Sequence, residues 1–383
     1  MPDQDPRSNL NVLRVVTTAV GTLFCVVILA VFCYNFILSS GTKESGSQAK
    51  AADVTIMDKY DMFVTNKISD ALAGVLSIEK VYWLSDSDQV APEPNPAGYG
   101  EVSSYEELLP ILEKAADLID GQTLAITPDR PFWNGDTIHY YYDETILVIT
   151  WKEIVDKCVY TVSEVKIAHP SQFRRFLAGG EFGSDKQHLT TEMSASVNAV
   201  MASSGDFYTY CKVGTVVYEG QLRRFEGEDV DTCFINDEGD LLFAYRGQLK
   251  SEEEAKKFIE DNNVRFSLVF GPVLLDNGEI KVPRTYSRGQ VEGTYSRAAI
   301  CQWDKLHYLV VNTSQEQGYF NRHKTRFFTE FIQKLGCNTA YALDGGQTTA
   351  IVMNDELVTL PDYGTQRRIS DIIYFATALP DGG

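Results

Sequence analysis

The chain has 383 residues, 44% hydrophobic and 23% charged, with a formal net charge of −19. That is enough for a large core and one or two domains. The charge excludes a nucleic-acid binder, because phosphate is repelled and no dense basic patch interrupts the acidity. An anionic substrate would need a focused positive site inside this negative field.

Residues 15–38 are an uncharged apolar run, long enough to cross a bilayer as a helix. Arg7 and Arg14 precede it and Lys43 is the next charge. The positive-inside rule then keeps residues 1–14 in the cytoplasm as a short tail and places the rest outside. A cleaved signal peptide would have a shorter apolar region, about 7–15 residues, so an uncleaved single-pass anchor is expected, with the lipid bilayer as one partner. Residues 39–53 are small and polar and read as a tether. Residues 54–150 form an N-terminal extension with a helix over 58–76, a Pro-rich loop over 91–100, and a helix opened by the capping box Ser104 to Glu107 and interrupted near Pro110.

After Gly121 the apolar spacing falls to two. Residues 133–136 read as a turn, and 137–142, 145–151 and 159–167 as strands. Pro170 to Leu177 reads as a short helix. A helical or extended apolar piece from Ser194 leads into Ala199 to Tyr208. Short strands follow at 214–218, 232–235 and 241–245, then an amphipathic helix over 251–262, an apolar strand over 266–275, and strands at 297–300 and 306–311. Residues 322–335 form a helix with Phe327, Phe328, Phe331, Ile332 and Leu335 on one side. An apolar strand ends at Leu343-Asp344, and a last strand covers 369–375. Many strands and few helices, not strictly alternating, predict an α+β fold of mixed β-sheets flanked by helices, with the main domain over 151–378.

Several chemistries drop out. Gly345-Gly346 lacks the Lys-Ser/Thr of a P-loop. There is no His-Glu-x-x-His and no Gly-x-Ser-x-Gly. The five histidines are not at metal-ligand spacing, and the seven cysteines show no Cys-x-x-Cys, so neither a zinc site nor a disulfide scaffold is expected. No metal or cofactor is expected. Two acidic loops remain, Ser204-Gly205-Asp206 and Asp344-Gly345-Gly346. Each follows an apolar strand and pairs Asp with Gly. Two carboxylates on strand ends are the minimum kit for glycosidic cleavage, although Asp-Gly is also common hairpin chemistry. Arg297 and Arg368 supply charge for an anion.

The order of these segments resembles the phosphodiester glycosidase family, which includes the uncovering-enzyme domain and bacterial exopolysaccharide-related members. The family's Ala-Val-Ala-Ile-Asn-Gly-Asp segment is matched by Ala199 to Tyr208. Its Phe-Gly-Pro segment is matched by Phe270 to Leu275, and its Arg-Thr-Ala-Ile-Gly by Arg297 to Cys301. His307-Tyr308-Leu309, the glycine loop after Asp344, and Arg368 to Asp371 follow in order. The resemblance implies a glycosidase that cleaves between a sugar's anomeric carbon and a phosphate. Asp206 and Asp344 would be nucleophile or base, with His307 assisting proton transfer. Arg297 and the amides of Gly345 and Gly346 would hold the phosphate. Gln347 and Thr348 would contact the sugar, and Ser204, Gly205, Tyr208 and Arg368 would complete the binding site. The chain departs from the family at Ser204 (Asn), Cys301 (Gly), Gln347 (Gly) and Thr313 to Gln315 (Asp-Gly-Arg). These departures keep a second reading open: a non-catalytic module that binds glycan or protein on the same fold. For Asp371 and Arg368 a buried ion pair is an equal expectation.

Overall fold

Strand-forming residues at period two dominate the chain from Tyr99 onward, and they pair into four sheets among the described residues. A computed structural model describes residues 89–379, apart from 132–135, 207, 211, 227–228, 289, 317–320 and 361. The expected cytoplasmic tail, membrane span, tether and 58–76 helix lie outside the described residues, as do residues 133–135 of the expected turn. Among the described residues no helix is long and apolar enough to cross a membrane. The described residues all fall in one compact unit, 71–383.

The largest sheet has nine strands. In spatial order they are Tyr99–Val102, Ile138–Asp143, Ile146–Val155, Cys158–Ile167, His307–Ser314, Ala298–Asp304, Thr339–Leu343, Val273–Asp276 and Glu279–Ile280. Neighbours pair antiparallel throughout. A second sheet has five strands, ordered Glu356–Leu357, Ile351–Met353, Met201–Ser204, Asp371–Phe375 and Phe173–Leu177. Smaller sheets join Leu241–Ala244, Thr232–Asn236 and Val264–Leu268, and Val216–Tyr218 with Gln221–Arg224.

Alternation along each strand sends successive side chains to opposite faces. Leu309 and Val311 go to one face of the nine-stranded sheet with Leu147, Ile149 and Trp151, under Phe328, Phe331, Ile332 and Leu335. Those four lie at helical spacing on Thr325–Leu335, which gives that helix one apolar stripe. Tyr308 and Val310 go to the other face with Val148 and Val165, and meet Phe173, Met201, Ile373 and Phe375 of the five-stranded sheet. With both faces covered, the central strands are buried along nearly their whole length, polar residues such as Glu164, Lys166 and Asn312 included.

The α+β expectation of sheets with few helices holds. Several boundaries differ. The division at residue 150 falls inside the Ile146–Val155 strand, and Tyr99–Val102 joins the same sheet. The Tyr105–Lys114 helix runs through Pro110 and breaks at Ala115. Pro170 to Leu177 is only a single 3-10 turn over Pro170–Gln172, followed by a strand. Its Phe173 and Leu177 pair with Phe375 and Asp371, so tertiary pairing overrides the local helical signal. The apolar run 266–275 is two strands in different sheets. Gly271 at φ +71 and Pro272 turn the chain between them. Cys158, Cys233, Cys301 and Cys337 are buried free thiols.

Candidate active site

Two strand ends meet at one cavity, and a third, which ends at the expected site residue Gly205, packs behind them without lining it. The Met201–Ser204 strand runs into Gly205, the Ala298–Asp304 strand begins after Ser296-Arg297, and the Thr339–Leu343 strand delivers Asp344. The amide of Asp344 donates to the Gly205 carbonyl at 3.2 Å, and the amide of Gly346 donates to the Ser296 carbonyl at 2.8 Å. Glycine is required at 345 by close approach: a Cβ there would lie 2.5 Å from the Ser296 oxygen. Glycine is required at 205 for the same reason, because its Cβ would lie 2.1 Å from Oδ2 of Asp371. The turn after Asp344 winds into a 3-10 helix, Gly346–Thr348.

The cavity has a volume of about 490 Å³. Asp344 lines it with Gly345 and Gly346, faced by Arg288, Arg297 and Arg367. Burial pushes the Asp344 carboxyl up to about 7, against the opposing influence of Thr348, Arg367 and the Gly345 amide. Burial also lowers Arg297, to about 10. Its guanidinium stacks 5.7 Å over the Tyr295 ring and donates to the Gln290 carbonyl at 3.2 Å, so it braces the loop before it as well as facing the cavity. The amide of Arg297 donates to Thr313 Oγ1 at 2.7 Å. Thr313, one of the departures from the family pattern, therefore anchors this arginine's backbone. Among the described residues the buried Nε of Arg288 finds no hydrogen-bond partner. One acid among three guanidinium groups is a charge pattern suited to a phosphate diester.

Asp206 has a different place. Its carboxylate accepts from the amides of Tyr208 and Val269, both at 2.8 Å, and pairs with Arg175 at 2.9 Å. Arg175 also pairs with Asp371 at 3.0 Å, and all three side chains are fully buried. Burial opposes the charge on Arg175, but Asp206 and Asp371 outweigh it and raise its pKa. Asp371 is pushed up to about 7 by burial and by Asp206. Asp206 is thus tied into a wall behind Gly205. It touches only a small depression that also borders Asp344.

The other expected residues divide. Arg297, Gly345 and Gly346 line the cavity with Asp344. Thr348 borders the smaller depression, and its hydroxyl donates to the Gly345 carbonyl at 2.8 Å. Gln347 turns away and donates to Thr365 at 3.3 Å. Ser204 and Tyr208 are buried and line neither hollow. Arg175 lies 5.3 Å over the Tyr208 ring, so that ring packs the buried ion cluster rather than meeting a sugar. His307 is buried, with Nε2 2.8 Å from Glu164. It lies roughly 17 Å along its strand from Asn312, the partner of Ala298, and so stands at the far end from the cavity. Arg368 pairs at the surface with Glu192 at 3.1 Å. The expected Arg368–Asp371 pair does not form, because Arg175 takes Asp371. Sequence reasoning missed Arg175, Arg288, Arg367, Tyr210 and Tyr295. The adjacent basic pair Arg367-Arg368 beside the family's Ser-Asp motif was the available signal for Arg367. Among the described residues no three His, Cys, Asp or Glu side chains gather as a metal site.

No curated protein matches the chain. Among solved structures it is similar to the catalytic domain of zebrafish N-acetylglucosamine-1-phosphodiester α-N-acetylglucosaminidase, described as auto-inhibited by its pro-peptide. That similarity has 14% identity, 73% of this chain and 88% of that one covered, and a TM-score of 0.48. A hypothetical protein from Synechocystis is similar at 14% identity over 62% of this chain and 64% of that one, with a TM-score of 0.44. The phosphodiester glycosidase family model matches residues 193–376, the stretch that carries Asp344, Arg297 and the glycine turn.

Proposed function

We propose that the protein is a membrane-anchored, extracytoplasmic phosphodiester glycosidase that hydrolyses a sugar-1-phosphate diester in a cell-surface glycan or polymer. One observation carries this reading: Asp344, raised to about 7, shares its cavity with Arg288, Arg297 and Arg367. The leaving group is a phosphate monoester, which departs without much protonation. Stabilising its growing charge therefore matters more than a strong general acid. The guanidinium groups and the Gly345 and Gly346 turn are placed for that task. With Asp206 held by Arg175 and two amides, the carboxylate left to act at the anomeric carbon, as base toward water or as nucleophile, is Asp344. Water oxygen ends on the anomeric carbon, and the pair of electrons from the broken C–O bond goes to the phosphate.

A panel of α- and β-linked sugar-1-phosphodiesters, incubated with the purified protein, should release free sugar and phosphate monoester. Binding of these compounds with no turnover would instead support the glycan-binding reading, which the departures at Ser204, Gln347 and Thr313 to Gln315 favour. Arg297→Lys keeps the charge but loses the planar fork and the brace on Gln290. It is expected to raise KM for phosphodiesters about tenfold, a loss on the scale of one charge-assisted hydrogen bond. An unchanged KM would remove Arg297 from phosphate binding.

The location rests on the apolar run at 15–38 and the arginines before it. Protease added to intact cells should remove the domain beyond the tether. Protection that lasts until the membrane is opened would reverse the orientation.

A further inference from the structure

The cavity beside Asp344 is not polar throughout. Ala298 pairs with Leu343, so Arg297 and Asp344, each one residue further out, are neighbours at the strand ends. Further in, the lining changes. Phe270, Pro272, Phe328 and Ala342 line the same cavity, and none of their side chains can make a hydrogen bond. The fold holds these four together. The Gly271 amide donates to the Ala342 carbonyl at 3.2 Å, and the Ala342 amide donates to the Pro272 carbonyl at 3.1 Å. Residues 270–272 therefore lie along Ala342. Phe328, in the first turn of the Thr325–Leu335 helix, shares a core cluster with Ala342, and Phe270 packs against that cluster.

An apolar ring also adjoins the cation assigned to the phosphate. Tyr295 lines the cavity and is exposed, so it reaches from the cavity to the surface. The Arg297 guanidinium lies 5.7 Å over its ring. A phosphate held at Arg297 therefore has an apolar surface next to it as well as the apolar wall further in.

A phosphodiester has two ester arms. One is the sugar, attacked beside Asp344, and the other departs on the phosphate. Against the wall of Phe270, Pro272, Phe328 and Ala342 a second sugar would bury hydroxyls without partners, which opposes binding. An alkyl chain has no such groups, and each methylene it buries favours binding. Resting on the function proposed above, we infer that the second arm is an apolar alcohol. The substrate is then a glycan whose anomeric carbon is joined through phosphate to an alkyl or isoprenoid chain. Cleavage breaks the anomeric C–O bond, adds the water oxygen to the anomeric carbon, and releases the alcohol as its phosphate monoester.

The full chain in lipid nanodiscs is tested on methyl, butyl, hexyl and glyceryl phosphodiesters of α- and β-glucose 1-phosphate and N-acetylglucosamine 1-phosphate. Each fully buried methylene is worth roughly fourfold in affinity, so KM should fall at least about tenfold from the methyl to the hexyl diester. The glyceryl diester should do no better than the methyl. A smaller fall along the alkyl series, or a glyceryl diester that outdoes the hexyl, overturns the apolar arm and leaves the glycosidase reading standing. If no compound is cleaved, the glycosidase reading falls. Calorimetric affinities for the same compounds then decide the apolar arm by the same comparison, and absence of binding overturns it. Phe270→Ser separates the wall from the lipid of the nanodisc, because partitioning into lipid is the same for parent and variant. It should raise KM, or the binding constant, for the hexyl diester about tenfold more than for the methyl. Equal changes in the two would take the arm off this wall and overturn the assignment.

Discussion

Asp344→Asn should lower turnover of a sugar-1-phosphodiester by at least about a hundredfold, the low end for a lost acid–base group, while leaving the protein more stable at pH 8. The two effects share a cause. Asp344 is buried at a strand end rather than exposed on an open turn, and burial raises its carboxyl from 3.8 to about 7. In the unfolded chain the same group ionises near its ordinary value. Its contribution to stability is therefore present below about pH 4 and is lost as pH rises through about 7. Above that window the native state carries a desolvated carboxylate, and the amide removes it. The sign for activity is opposite. A base or nucleophile must be ionised, so kcat/KM of the parent should climb as pH rises through about 7. Thermal melts at pH 5 and pH 8, with turnover measured per folded molecule, check both halves. A variant that melts lower at pH 8 and turns over normally would mark Asp344 as a structural turn residue.

The site was legible where chemistry and backbone geometry coincide in one short stretch. An apolar strand ending in Asp344-Gly345-Gly346 announces a tight, close-packed turn, and the Ser296 carbonyl against Gly345 is the contact that demands it. Arg297 was legible as a cation at the start of a strand. What could not be read was which groups face one another across sheets. Asp206 stands in the same kind of Asp-Gly loop as Asp344, yet Arg175 on the Phe173–Leu177 strand captures it. That strand was itself read as a helix, because Pro170 and the short polar turn at its start mimic a helix N-terminus. His307 failed for a related reason: residue order does not reveal which end of a strand meets the cavity. Antiparallel pairing with Ala298–Asp304 puts Asn312, not His307, beside the site. The strands that build the core were the most legible feature of all, since burial of both faces of the large sheet fills its central strands with β-branched and aromatic residues.

The buried Arg175 cluster yields the largest expected effect on stability. Arg175 is flanked by Asp206 and Asp371 with no solvent contact, and it also donates to the Ser267 carbonyl. Removing one partner from a buried ion pair costs about 3–5 kcal/mol, because the remaining charge stays buried without compensation. Arg175→Met fills a similar volume but leaves two carboxylates facing each other behind Gly205. At roughly 2–4 °C per kcal/mol for a domain of this size, a fall of about 10 °C in melting temperature is expected at pH 8. The loss should shrink toward pH 5. Asp371 already sits near 7 with the guanidinium present, and without it that carboxyl rises further, so mild acid supplies a proton that replaces the missing charge. Activity should fail together with folding, because the Gly205 carbonyl that holds the Asp344 amide is carried by this wall. Asp371→Asn separates the charge from the packing. With one carboxylate left for one guanidinium, it should melt within a few degrees of the parent and lose the pH dependence of the cluster. If Arg175→Met melts like the parent at both pH values, the cluster does not hold the wall, and the position of Asp344 must be set by the glycine turn alone.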